Sequence, residues 1–101
     1  MKDQKTYVGI YNDEQGGMTH IAMIIKDAWL FDLLPETETC EGWLPTQIQV
    51  LYEKVYAAWE PYAHMPSRLP PELRDKHARI HEKMMNYGRD HGWNPELGDD
   101  D

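Results

Sequence analysis

The sequence predicts an all-α protein: a small open three-helix bundle with an extended N-terminal arm or single strand and a short C-terminal helical turn. Two observations lead to this class. Three stretches place apolar residues at helical spacing, and the 101 residues are 41% hydrophobic and 28% charged, as in one globular domain. We expect a single domain over residues 1–101, with residues 1–5 frayed and residues 98–101 forming an acidic tail.

The N-terminal segment carries the clearest strand pattern. Residues 6–11, TYVGIY, are rich in β-branched and aromatic side chains, and residues 12–17, NDEQGG, have the composition of a turn. A lone strand is poorly stable in water. We therefore predict that this segment lies on the helices as an extended arm or pairs with a second copy of the chain.

The most apolar stretch, THIAMIIKDAWLFDLL, predicts the first helix. It is expected to run from His20 to Leu34, with the preceding threonine as its N-cap and the following proline as its end. An alternative is that residues 18–25 form the second strand of a hairpin with TYVGIY. The helix is favoured because the apolar pattern continues well beyond the length of a usual strand.

Two further helices are predicted. Residues 45–59 form the second, which starts either with a capping box of Thr46 and Gln49 or with Pro45 as its first residue. Its apolar stripe consists of Ile48, Leu51, Tyr52, Val55 and Trp59. The third helix starts at the Pro–Pro pair of residues 70–71 and is expected to stop at Gly88. Its stripe consists of Leu73, His77, Ile80, Met84 and Tyr87. A short turn before Gly98 completes the chain.

Ionisable residues on the apolar stripes are candidates for a polar core or ligand site. Asp32 falls on the apolar face of the first helix and His77 on that of the third, where a charged group costs free energy unless it is satisfied. If these two helices pack together, Asp32 and His77 could meet. The ordinary interpretation is a buried histidine held by hydrogen bonds.

His77 and His81 are four residues apart, a spacing that lets two imidazoles on one helix bind one metal ion. A zinc site needs at least a third protein ligand, and the sequence spacing does not identify one. We therefore predict neither a metal nor a cofactor. The candidate ligand site therefore consists of Asp32, His77 and His81.

Aromatic composition indicates a contact surface. The chain has four Trp and six Tyr but one Phe, and Trp and Tyr suit half-buried positions at protein interfaces. Three short helices cannot bury all of these rings. The candidate interface residues are Tyr7, Tyr11, Trp43 and Trp93.

Charge and cysteine content narrow the function. The net charge of −8 makes nucleic acid an unfavourable partner, and the longest apolar run is too short and too charged to span a membrane. One cysteine and no secretory signal predict a cytoplasmic protein. We predict a binding or accessory protein without its own catalysis that contacts another protein or forms a homodimer. The alternative is a small-ligand or metal-binding protein, perhaps a minor enzyme, with a site around His77, Asp32 and His81.

Overall fold

The structure is a computed structural model that describes residues 6–13, 17 and 19–90. Within these residues it is all-helical and contains three α-helices, as predicted, and no β-strand. The helices are α1 (His20–Leu30), α2 (Pro45–Trp59) and α3 (Pro71–Asp90). Short 3-10 turns occupy Ile10–Asn12, Glu60–Tyr62 and Pro66–Arg68. The predicted frayed N-terminus, C-terminal turn and acidic tail lie outside the described residues.

Helix α1 lies at the centre of the fold and packs against both α2 and α3. Thr19 caps it, since the Thr19 hydroxyl accepts a hydrogen bond from the Ala22 N–H at 3.2 Å. The helix interpretation of residues 20–25 is therefore confirmed over the hairpin. Seven of its eleven residues are buried, including Trp29, whose indole N–H donates to the Glu38 carbonyl at 3.0 Å.

The predicted end of α1 at Leu34 is wrong, because the helix ends at Leu30. Asp32 has a left-handed backbone (φ 58°), and the N–H of Leu33 bonds back to the Ala28 carbonyl at 2.9 Å. Aspartate tolerates this conformation better than most residues, which allows the chain to leave the helix before the proline. The side chains after Leu30 consequently leave the helical register.

The N-terminal segment is an extended arm, but its partner is a loop of the same chain. Tyr7 donates its N–H to the Trp43 carbonyl at 2.9 Å and accepts from the Gly42 N–H at 2.7 Å, and Ile10 donates to Thr39 at 3.1 Å. Ile10 itself is fully buried. These hydrogen bonds satisfy the arm within the chain, so its pairing with a second copy is no longer needed to explain its stability.

Helices α2 and α3 differ from the prediction in detail. Pro45 is the first residue of α2, and the Gln47 side chain accepts from the Leu44 N–H at 2.8 Å, so the second of the two predicted starts is correct. Tyr52 was expected on the apolar stripe but is exposed. Helix α3 does not stop at Gly88 but continues to Asp90. Gly88 is buried because it lies on the same helix face as Ile80 and Met84, one turn further on.

Candidate functional site

Helices α1 and α3 bring together one carboxylate and two imidazoles. The potential ligand atoms of Asp27, His77 and His81 all lie within 4.8 Å of one another, and each residue is partly buried. The two imidazole rings of α3 have centroids 4.1 Å apart and an interplanar angle of 33°. We call this group the aspartate–histidine cluster. The two rings are neighbours because His77 and His81 are four residues apart and share one face of α3.

Trp59 of α2 completes the surroundings of the cluster. Its indole N–H donates to Asp27 Oδ2 at 3.1 Å. The ring is buried, packs edge-on to Phe31 with centroids 5.1 Å apart, and meets His77 at 6.2 Å. Asp27 is thus held by a side chain from another helix, which fixes the orientation of its carboxylate.

The protonation states in the cluster are shifted by burial. Burial raises the pKa of Asp27 above its ordinary value, although the Trp59 hydrogen bond and the nearby His77 partly oppose the shift. Burial lowers the pKa of His77, with Asp27 opposing, and burial together with His77 and Lys26 lowers the pKa of His81 to about 4. Both imidazoles are therefore neutral at neutral pH, each with a nitrogen lone pair for a proton or a metal ion.

The predicted site is only partly reproduced. The structure brings His77 and His81 together, but Asp32 lies elsewhere, with an 87% exposed side chain paired to Lys76 Nζ at 2.8 Å. The acid beside the imidazoles is Asp27. One signal could have found it: Asp27 stands one turn before Phe31, at the edge of the apolar face, whereas Asp32 follows the point where the helix ends.

A second feature is an open cleft of about 680 Å³ between the N-terminal arm, the start of α1 and α2. Its walls are mainly apolar. They are formed by Thr6, Tyr7, Val8, Asn12, Asp13, Thr19, His20, Ile21, Ile24, Trp43, Pro45, Ile48, Gln49 and Tyr52. A smaller groove of about 390 Å³ runs past the other side of Trp43 along α2. Trp43 therefore lines both concave surfaces.

The polar part of the cleft is a hydrogen-bond network centred on Asp13. The Tyr7 hydroxyl donates to Asp13 Oδ2 at 2.7 Å, and the Thr19 hydroxyl donates to the same oxygen. Burial, followed by the hydrogen bond and charge of Asp13, raises the pKa of Tyr7, so the phenol remains a donor. Asp13 is buried and engaged by residues close to it in sequence. The network ties the arm to the N-terminus of α1.

The candidate interface residues fall in different places. Tyr7 and Trp43 line the cleft. Tyr11 instead packs edge-on against Tyr87, with centroids 5.0 Å apart, and its carbonyl accepts a hydrogen bond from the Tyr87 hydroxyl. Trp93 lies outside the described residues. Sequence reasoning missed Tyr52, which lines the cleft from α2 and is 36% exposed.

Cys40 does not have the surroundings of a nucleophile. It is fully buried in the loop that pairs with the arm. Burial, and secondarily Glu38, raises the pKa of the thiol to about 12. The thiolate is the nucleophilic form, so the buried thiol is unreactive at neutral pH.

None of the helices in the described part of the chain has the length and apolar character needed to cross a membrane. Comparison with models of known protein families, with curated proteins and with solved structures finds no match. The cleft and the aspartate–histidine cluster are the two candidate sites of the described residues.

Proposed function

We propose that this chain is a binding or accessory protein without its own catalysis, and that it contacts a segment of another protein through the 680 Å³ cleft. The cleft is the observation that carries the proposal. It is open, its walls are mainly apolar, and aromatic rings stand at its edges. These are the properties of surfaces that accept the anchor side chains of a partner.

Exposed apolar groups continue from the cleft onto the surrounding surface. Val8 of the arm and Leu44 at the start of α2 are exposed large hydrophobic residues, as are Tyr52 and Val50 of α2. Val8 and Tyr52 line the cleft, Val50 lines the smaller groove, and Trp43 lines both. Contiguous exposed apolar groups of this kind mark interaction sites, because leaving them in water costs free energy that a partner recovers.

The negative charge of the part of the chain that forms the cleft favours a positively charged partner. Residues 1–66, which supply the arm, α1 and α2, contain 4 basic and 10 acidic residues, a balance of −6. A second copy would bring the same negative charge, which opposes a homodimer through this face. We therefore propose an extended or helical segment with apolar anchors flanked by Lys or Arg, because opposite charge steers such a segment to the cleft.

A binding role fits the polar groups of the cleft better than catalysis. Asp13 already accepts hydrogen bonds from Tyr7 and Thr19 and holds the arm in place. A cytoplasmic location is part of the proposal and is supported by the presence of one cysteine, which leaves no pair for an intrachain disulfide. Asp32 is not part of the site around His77 and His81 that was predicted as the alternative. The two histidines belong to the aspartate–histidine cluster, and none of its residues lines the cleft.

The test selects peptides from a random library with the full-length chain and compares two tyrosine variants of α2. Tyr52→Ala removes a ring from the cleft wall, whereas Tyr56→Ala removes an exposed ring one turn further on that does not line it. We expect the selected peptides to combine apolar and basic residues. Tyr52→Ala should weaken their binding at least about tenfold, or about 1.4 kcal/mol, and Tyr56→Ala less than about twofold, by fluorescence anisotropy.

Two results would contradict the proposal. Equal weakening by both variants would place the contact outside the cleft. A light-scattering mass near twice 11.9 kDa that Tyr52→Ala returns to 11.9 kDa would make a second copy the occupant instead. Binding that weakens steeply with added salt supports a basic segment, whereas salt-independent binding argues against it.

A further inference from the structure

We propose that Asp27, His77 and His81 form a binding site for one divalent transition-metal ion of the zinc type, with a further coordination position open to water or an external ligand. The proposal is independent of the cleft, because none of these three residues lines it. A carboxylate and two imidazoles are the ligands of open zinc sites and of some iron(II) sites.

The spacing of the donor atoms fits one ion after a small adjustment. Zinc lies about 2.0–2.2 Å from nitrogen and oxygen ligands, so atoms around one ion are roughly 3–4 Å apart. In this protein the potential ligand atoms already lie within 4.8 Å of one another. The donors come from two packed helices, and small rotations of the side chains are enough to close the remaining distance.

The hydrogen bonds of the cluster also point to a ligand. In the part of the chain that the structure describes, the Asp27 carboxylate accepts from Trp59 rather than from either histidine. A purely structural aspartate–histidine pair would be joined by a direct hydrogen bond, because a partly buried carboxylate is costly without one. Here three potential metal ligands lie close together without hydrogen bonds to each other. One cation between them could be coordinated by all three.

Electrostatics both favour and limit the site. Metals bind the neutral imidazole, and burial keeps both histidines in that form at neutral pH. The Trp59 N–H orients the carboxylate, as outer-shell partners do in known metal sites. The neighbouring Lys26 acts against a second cation, although burial lowers its pKa. We therefore expect affinity for zinc in the micromolar range rather than that of a closed structural site.

The experiment titrates the metal-free full-length chain with Zn²⁺ by calorimetry and with Co²⁺ by visible absorption, which reports inner-sphere coordination. We expect one bound ion per chain. His77→Ala, His81→Ala and Asp27→Asn should each weaken Zn²⁺ binding at least about thirtyfold. Asp27→Asn keeps an acceptor for Trp59 and thus tests the ligand without removing the hydrogen bond that supports the fold.

The matched control is His64→Asn. His64 is exposed and lies in a different turn, with a left-handed backbone (φ 58°) that asparagine tolerates. It should change Zn²⁺ affinity less than about twofold. Trp59→Phe removes the outer hydrogen bond and should cost about 10–100-fold in affinity without changing the stoichiometry.

Three outcomes would overturn the site. The first is the absence of Zn²⁺ binding by the wild type, and the second is equal weakening by His64→Asn and His81→Ala. The third is a normal affinity in Asp27→Asn, which would leave a surface histidine pair. Circular dichroism shows which variants are folded, and a Zn²⁺-dependent rise in the midpoint of thermal unfolding that the wild type shows and Asp27→Asn lacks supports the three-ligand site.

Discussion

Asp13 and Asp27 are two shielded carboxylates with different surroundings. Asp13 accepts hydroxyl hydrogen bonds from Tyr7 and Thr19, each six residues away in sequence. Asp27 accepts one indole N–H, from Trp59, 32 residues away, and faces two imidazoles of α3. The first carboxylate is engaged by its own neighbourhood and stabilises the fold. The second lies within ligand distance of two imidazoles, which is the arrangement expected where a ligand binds.

The largest effect is expected at Asp13. Asp13→Ala leaves the partly buried Tyr7 and Thr19 hydroxyls without their acceptor, and an unsatisfied buried donor costs about 1–3 kcal/mol. We expect a loss of about 2–4 kcal/mol in the free energy of unfolding, measured by urea titration with circular dichroism. The control is Asp32→Asn, which removes an exposed ion pair with Lys76 and should cost less than about 1 kcal/mol. Similar losses of stability in both variants would show that the Asp13 hydrogen bonds stabilise the fold no more than the exposed Asp32–Lys76 ion pair does.

A smaller effect of opposite sign is expected at Asp27. Its pKa is raised in the folded protein, chiefly by burial, so the fold disfavours the ionised carboxylate. Wild-type stability is therefore reduced as the pH rises through the folded pKa, and Asp27→Asn escapes this loss. At pH 7 we expect the variant to be more stable by about 0.5–2 kcal/mol, with a gain that disappears toward low pH. A variant that is less stable at every pH would assign Asp27 the same role as Asp13.

The smallest effect is the pH dependence due to His81. Its pKa is about 4 in the folded protein and near 6.5 in the unfolded chain, so the unfolded state binds more protons between these values. Stability should consequently fall as the pH decreases from about 6.5 to about 4. After allowance for screening by water, we expect roughly 1 kcal/mol or less. His81→Gln should remove this part of the slope in thermal unfolding curves recorded at each pH. An unchanged slope would show that His81 is solvated in solution.

Much of the fold could be predicted because its signals are local. The Thr19 cap, Pro45 at the start of α2 and the stripe through Ile48, Leu51 and Val55 each depend on residues within a few turns. The errors also have local causes. Gly88 was expected to end α3, but it lies inside the helix at a buried position one turn after Met84. Periodicity does not show whether a glycine will end a helix or continue its packed face.

The candidate site was predictable in part for the same reason. The proximity of His77 and His81 follows from helix geometry, since residues four apart share a face. The identity of the acid depended on where α1 ends. Had the helix continued to Leu34, Asp32 would have remained on its apolar face, but the left-handed residue at Asp32 turned that side chain outward toward Lys76.

The sequence by itself determined the helical class, the three helices and the pairing of the two histidines, because each follows from the chemistry of neighbouring residues. Only the tertiary structure decided that Asp27 joins those histidines, that Trp59 orients it, and that the arm pairs with a loop of its own chain. These contacts join residues far apart in sequence. They depend on how the helices pack and on where each one ends, and a pattern of spacings contains neither.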